Sequence, residues 1–319
     1  MKTFRHAARL AALSLLAPLL FAGSATAQAP DFVSIGTASA AGAYYPLGVA
    51  MADLWNRNID GIRFSAQETG GGVANVNMLA GGEIELGIAN ENIAWDAGQG
   101  NEPFASPIVV EGGWTMNASY ALIVAPAASG LESVADLAGK RVSFGAPGSS
   151  GNVIGQRLLE SQGLAEGSFS PVFMGWQESA DAIADGSLDA AVMVGGQPFP
   201  AVESLAVRMP IKILSFDAAR LAESAGFPLV ASTIPADTYN GLAEDSDAIL
   251  VRSIVYIQPG LDEETVYQMV KTVFENIPAL KAAHPSGDQA ALLSQAQAAE
   301  LDLTIHPGVI RYAEEVGAW

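Results

Sequence analysis

Cysteine is absent from the whole chain of 319 residues. No disulfide can staple it, no thiolate can serve as nucleophile or soft metal ligand, and no lipidated N-terminal cysteine can anchor it. Stability must therefore come from a hydrophobic core, for which a 50% apolar composition supplies the side chains. Histidine is nearly as scarce: only His6, His284 and His306 occur, the last two each followed by proline, and there is no H-E-x-x-H pair for zinc. Positive charge is thin as well, 15 Lys and Arg against 34 Asp and Glu, for a formal net charge of −19. Nucleic acid and anionic membranes need basic patches, so neither is an expected partner. A small anion can still be held, but only by oriented hydrogen-bond donors acting locally against a screened background field.

Long apolar runs are missing beyond the first 27 residues, so no later segment reads as a membrane span. The leader itself has a basic start (Lys2, Arg5, Arg9), the apolar stretch LAALSLLAPLLFA, and an A-x-A site ending at Ala27. This pattern predicts a secretory signal peptide over 1–27 and a mature chain released into a bacterial periplasm. Losing three basic residues and no acidic ones makes the mature chain more acidic still.

What remains is long enough for two domains. FVSIGT, IRFSAQET and IELGIAN read as strands alternating with helices YYPLGVAMADLWNRN and GVANVNMLAGGE. After a less regular stretch through Trp114, SYALIVAPA is a strand, and a second series follows. It runs LESVADLAGK (helix), RVSFGAP (strand), SGNVIGQRLLESQG (helix), SPVFMGW (strand), ESADAIADGS (helix) and LDAAVMVGG (strand). Strand and helix alternation predicts an α/β fold with parallel pairing, in two lobes rather than one large sheet. If SYALIVAPA and ILVRSIVYIQ both cross between the lobes, residues 28–120 and 252–319 form a discontinuous lobe I and residues 121–251 an inserted lobe II. The cleft at such a hinge is a preferred ligand site.

Three strand-to-helix turns supply candidate donors. IGTASAAGAYYPLG (35–48) fits neither G-x-x-x-x-G-K-[ST] nor G-x-G-x-x-G, so a nucleotide cradle is not expected. Its Thr37 and Ser39 hydroxyls either cap the helix or meet a ligand. ETGGGVANV (68–76) and GAPGSSGNV (145–153) are similar turns, the latter with Ser149, Ser150 and Asn152. If the first two face the third, their donors converge on a small anion or zwitterion such as a carboxylate. Tyr44 and Tyr45 cannot share a helix face, so one packs inward and one points to the cleft. Trp176, Asn90 and Gln197 follow strands, where they either line the cleft or serve local packing. A Ser-His-Asp site could still pair Ser149 with His306, although PGSSG is not a G-x-S-x-G elbow. A binding protein without catalysis is therefore expected.

Six segments resemble the TAXI solute receptors of TRAP transporters: IGTASAAGAYYPLG, TGGGVANVNMLAGGEIELGIAN, LESVADLAGKRVSFGAPGSSGNVIGQRLLESQGL, DAIADGSLDAAVMVGGQP, STIPADTYNG and HPGVIRYAEEVG. The resemblance implies a two-lobed type II periplasmic-binding-protein fold, and a receptor that hands its solute to an ion-driven TRAP permease of one small and one large integral-membrane subunit. It implies glutamate, glutamine, 2-oxoglutarate or a related five-carbon dicarboxylate as ligand, no cofactor or metal, and a monomer. Carried over by motif, it implies Thr37, Ser39 and Tyr44 in the first binding loop, Gly71, Gly72 and Val73 in the second, and Ser149, Ser150 and Asn152 in the third, with Asn90 and Gln197 beside them. A periplasmic sensing module for a membrane signalling protein would use the same cleft and differ in its partner surface.

Overall fold

The computed structural model describes residues 30–224, 227 and 229–319, so the expected signal peptide lies outside the described residues. The chain opens with β1 (Phe32–Gly36), α1 (Tyr44–Asn58), β2 (Arg63–Gln67), α2 (Gly72–Gly81), β3 (Leu86–Asn90), α3 (Glu91–Gln99) and the long β4 (Glu111–Pro126). Next come β5 (Arg141–Ser143), α4 (Ser150–Ser161), β6 (Ser170–Val172), α5 (Trp176–Asp185), β7 (Ala190–Gly195), α6 (Pro200–Arg208), β8 (Ile211–Ile213), α7 (Ala218–Ser224) and β9 (Val230–Ile234). A second long strand, β10 (Ser246–Ile257), leads back to α8 (Glu263–Phe274), α9 (Ile277–Ala283), β11 (Ala291–Leu292), α10 (Gln295–Glu300) and α11 (Pro307–Glu315).

The main sheet path is β2-β1-β3-β10-β4-β7-β5-β6. β1 pairs in parallel with β2 and β3, and β5 in parallel with β6 and β7, as α/β alternation requires. Between these trios the antiparallel pair β10 and β4 runs side by side and hydrogen-bonds to both. The two units are therefore one continuous sheet, which the sequence reading divided. The crossing pair is irregular: Ser253 faces Asn117 while Ile254 faces Thr115, a register slip that kinks the sheet at the junction.

Apolar packing is segregated on either side of that junction. One core gathers residues from Val33 to Met116 with others from Ile254 to Tyr312. Residues 121–251 supply two more, one on each sheet face: Ala121, Ile123 and Ala125 of β4 enter one, Leu122 and Val124 the other. Strand β7 alternates likewise and is buried at every position, the pattern of a central strand covered on both faces.

Three local expectations change. LESVADLAGK forms only a one-turn 3-10 helix at Val134–Leu137. There the Asp136 carboxylate accepts the Glu132 and Ser133 N–H groups at 3.0 and 2.9 Å, and Gly139 turns away at φ 73°. SPVFMGW stops being a strand at Val172, so Trp176 opens α5 instead of following β6; the Glu178 carboxylate accepts the Gly175 N–H at 3.0 Å and starts the helix there. The stretch before Trp114 contains α3, ended by Gly100 at φ 68°.

Candidate functional site

Where the two core regions meet, Ala43, Tyr44, Gly71, Gly72, Asn90, Ser149, Ser150 and Trp176 line a small cavity, with Ala38, Gly42, Val194 and Gly195 completing its wall. Its volume is about 30 Å³, room for a water or two. The side chains around it come from the first turns of α1, α2, α4 and α5 and from the N-cap of α3. First-turn N–H groups have no partner inside their own helix and carry the positive end of the helix dipole. Around the cavity they are also left uncapped: Ala43, Gly71, Asn90 and Ser149 make no side-chain cap bond. Away from the cavity α8, α10 and α11 are capped by Asp262, Ser294 and His306, while α6 and α9 have no side-chain cap. Helix ends thus converge on one cavity, and no Lys, Arg or His lines it.

The floor is a buried polar network on the crossing strands. The Tyr44 hydroxyl lies 2.9 Å from Ser253 Oγ, which is 2.6 Å from Ser119 Oγ and accepts a bond from Asn90 Nδ2 at 3.3 Å. Burial holds the Tyr44 phenol protonated, pushing its pKa up to about 12, with the bonds to Ser253 and Ser119 opposing weakly. The wall contributed by α5 is Trp176. Its indole fits over Gly145 and Gly151, where an added Cβ would come within 2.3 Å of the ring in each case.

The turns are held in place by one side chain that sequence reasoning did not single out. Asn75, fully buried in α2, donates to the carbonyls of Gly36, Thr37 and Ile88 at 3.1, 2.7 and 2.7 Å, and accepts from Thr69 Oγ1 at 2.7 Å. It ties the ends of β1 and β3 to the second turn. Ser253 and Ser119 were missed as well; their signal is a polar residue inside an otherwise apolar run, ILVRSIVYIQ and NASYALIVAP.

The structure brings Tyr44, Gly71, Gly72, Asn90, Ser149, Ser150 and Trp176 around one cavity. The other expected residues lie off it. Thr37 is buried with its hydroxyl donating to Gln67 O at 2.7 Å, and Ser39 Oγ accepts the Ala41 N–H at 3.3 Å, so neither hydroxyl caps α1. Val73 and Asn152 line a neighbouring groove between α2 and α4, where Asn152 Oδ1 accepts from Gln156 Nε2 at 3.0 Å. Gln197 turns its amide oxygen to the Tyr239 hydroxyl. Of the two adjacent tyrosines only Tyr44 reaches the cavity. Both ring nitrogens of His306 are engaged, Nδ1 accepting from Gly308 N at 3.1 Å and Nε2 donating to Leu261 O at 3.0 Å, which leaves neither for Ser149.

The two core regions also touch where the turns before α2 and α4 meet. Val73 N donates to Gly148 O at 3.0 Å. Beside it an Arg157 nitrogen of α4 lies 2.8 Å from Asp96 Oδ2 of α3, an ion pair without hydrogen-bond alignment, with Asp96 only 3% exposed.

A model of the NMT1-like family matches residues 35–317. Among solved structures, a protein from Bordetella bronchiseptica RB50 superposes with a TM-score of 0.58 at 15% identity, covering 90% of this chain and 98% of that one. PhnD1 from Prochlorococcus marinus in complex with methylphosphonate gives 0.56 at 9% identity, over 91% and 99%. The ligand binding component of an ABC-type import system from Staphylococcus aureus gives 0.52 at 9% identity, over 91% and 93%. These likenesses show that the chain shares their mixed α/β fold.

Proposed function

The chain belongs to the NMT1-like family, and from that membership together with the cavity we propose that it is a periplasmic solute receptor that closes two lobes on a small anion or zwitterion. The observation that carries the reading is the convergence of uncapped helix N-termini on a cavity with no cationic side chain. Such donors suit a carboxylate, which accepts several bonds per group, and they succeed in a strongly acidic protein because their field is local. The lobes are residues 28–120 with 252–319, and residues 121–251, turning about the kink in β4 and β10. Binding needs no bond making, and the engaged ring of His306 supports a role without catalysis.

The finer assignment is to the TAXI class, on the six segments that resemble it. The ligand is then glutamate, glutamine, 2-oxoglutarate or a related five-carbon dicarboxylate, passed to the two integral subunits of a TRAP permease. About 30 Å³ is too little for such an acid, so the bound form holds the lobes further apart than they stand here. The likeness to an ABC-type import component and to a methylphosphonate complex favours a second partner and ligand pair, an ATP-driven importer and a small phosphonate. Refolded mature protein titrated with the five-carbon acids and with methylphosphonate separates the ligands. Uptake by cells carrying the chain, with the ion gradient collapsed or ATP depleted in turn, separates the permeases. Saturable binding of an acid and uptake lost with the gradient supports the TAXI reading. Methylphosphonate binding with ATP-dependent uptake replaces it.

A further inference from the structure

A larger cavity, about 240 Å³, lies in lobe I behind the central one. The two share a wall: Asn90 lines the central cavity and the next residue, Glu91, lines this one. Glu91 is 2% exposed, and its carboxylate accepts the Arg252 backbone N–H at 3.0 Å and pairs with the Arg252 guanidinium. Beside it Tyr256, 1% exposed, also lines the cavity, and its hydroxyl has no hydrogen-bond partner among the described residues. Trp95, Ile108 and Leu303 give apolar walls, and Asp302 stands at the edge. Two carboxylates and no basic side chain line the space.

A buried carboxylate oxygen accepts more than one bond, and Arg252 leaves lone pairs on Glu91 unused. An unpartnered phenol next to it can accept a bond from an ammonium, and an indole face attracts a cation. We infer that this cavity is a second binding site, for a small organic ammonium with an apolar body, the charged end toward Glu91 and Tyr256 and the body against Trp95 and Leu303. The opposite character of the two cavities, donors in the central one and acceptors in this one, keeps their ligands distinct.

Two substitutions test the inference without disturbing the core. Gly98 in α3 lines the cavity, and a Cβ there would meet nothing within 4 Å, so Gly98→Leu fills space with a better helix former. Tyr256→Phe removes only a hydroxyl that no protein group uses. Phenethylammonium chloride and its uncharged analogue 2-phenylethanol are titrated into the mature chain and both variants by calorimetry, with thermal melts as a folding control. Saturable binding of the ammonium is expected, roughly tenfold tighter than the alcohol, abolished in Gly98→Leu and weakened several-fold in Tyr256→Phe at unchanged melting temperature. No saturable binding, equal binding of the alcohol, or full binding by a folded Gly98→Leu overturns it.

Discussion

Gly72 stands where the two halves of the central cavity come closest. A Cβ there would sit 3.1 Å from Ser150 Oγ of one lobe and 3.2 Å from Ala89 Cβ of the other, so any side chain acts as a wedge. Gly72→Val is expected to weaken solute binding roughly ten- to hundredfold, the 1–3 kcal/mol of overpacking, and, because Ala89 packs against Gly72 within one core region, to lower the melting temperature of the unliganded protein by a smaller amount; calorimetry and a thermal melt read the two separately. Its neighbour Gly71, at φ 98°, has a backbone that L side chains rarely adopt. Tyr44 makes a different prediction. Its folded pKa of about 12 exceeds the ordinary value near 10. The folded state therefore holds the proton more tightly, and this stabilisation is complete below about pH 10 and lost as pH rises toward 12. Tyr239 and Tyr256 are raised by burial in the same direction. In an alkaline titration, phenolate absorbance from these three is expected to appear together with the loss of circular dichroism; ionisation well before unfolding would contradict their burial. At this scale the sequence was informative about small residues at turns, because GGG and GSSG admit few other uses. It was less so about hydroxyls: Thr37 and Ser149 each donate to a backbone carbonyl, of Gln67 and Phe144, yet only Ser149 also lines the cavity.

At the scale of elements, α8, α10 and α11 end in side-chain caps and α5 in the Glu178–Gly175 bond, whereas uncapped ends include α1 to α4 at the cavity and also α6 and α9 away from it. Sequence alone does not separate them, since Ser149 and Asn90 are good capping residues that do not cap here. Most strands were legible from alternation and the β-branched runs, but the edge strands β9 and β11 were not read. Nor was helix α3, because its nine residues, ENIAWDAGQ, are few for a helical period to show and follow directly on a strand. LESVADLAGK failed in the other direction: Asp136 satisfies the turn locally and Gly139 ends it before a second turn can form. The continuous sheet was missed because pairing between β4 and β10 joins residues more than a hundred positions apart. Helices α3 and α4 also carry the ion pair that bridges the lobes. Arg157→Gln is expected to favour the open form and weaken solute binding by roughly two- to fivefold, the range of a part-exposed pair. Raised salt should weaken binding in wild type more than in the variant; identical salt dependence would show that the pair does not help closure.

The whole molecule is two core regions held by two crossing strands, a connection that lets lobes turn without unthreading. Among the described residues no helix is long and apolar enough to cross a membrane. On the two-lobe proposal, a cavity of about 30 Å³ is what a nearly shut cleft leaves. Small-angle scattering of the stripped protein is expected to give a larger radius than the coordinates, shrinking on addition of solute; a radius already matching them, with no change on binding, would mean that the lobes do not move.

The central claim is that helix ends, with no cationic side chain, hold a small anion. Calorimetric titration of refolded wild type and Gly72→Val with 2-oxoglutarate and its dimethyl ester tests it most directly. Binding of the acid by wild type, none of the ester, and a large loss in Gly72→Val is the expected result. Equal binding of acid and ester, or an acid affinity untouched by Gly72→Val, would contradict it.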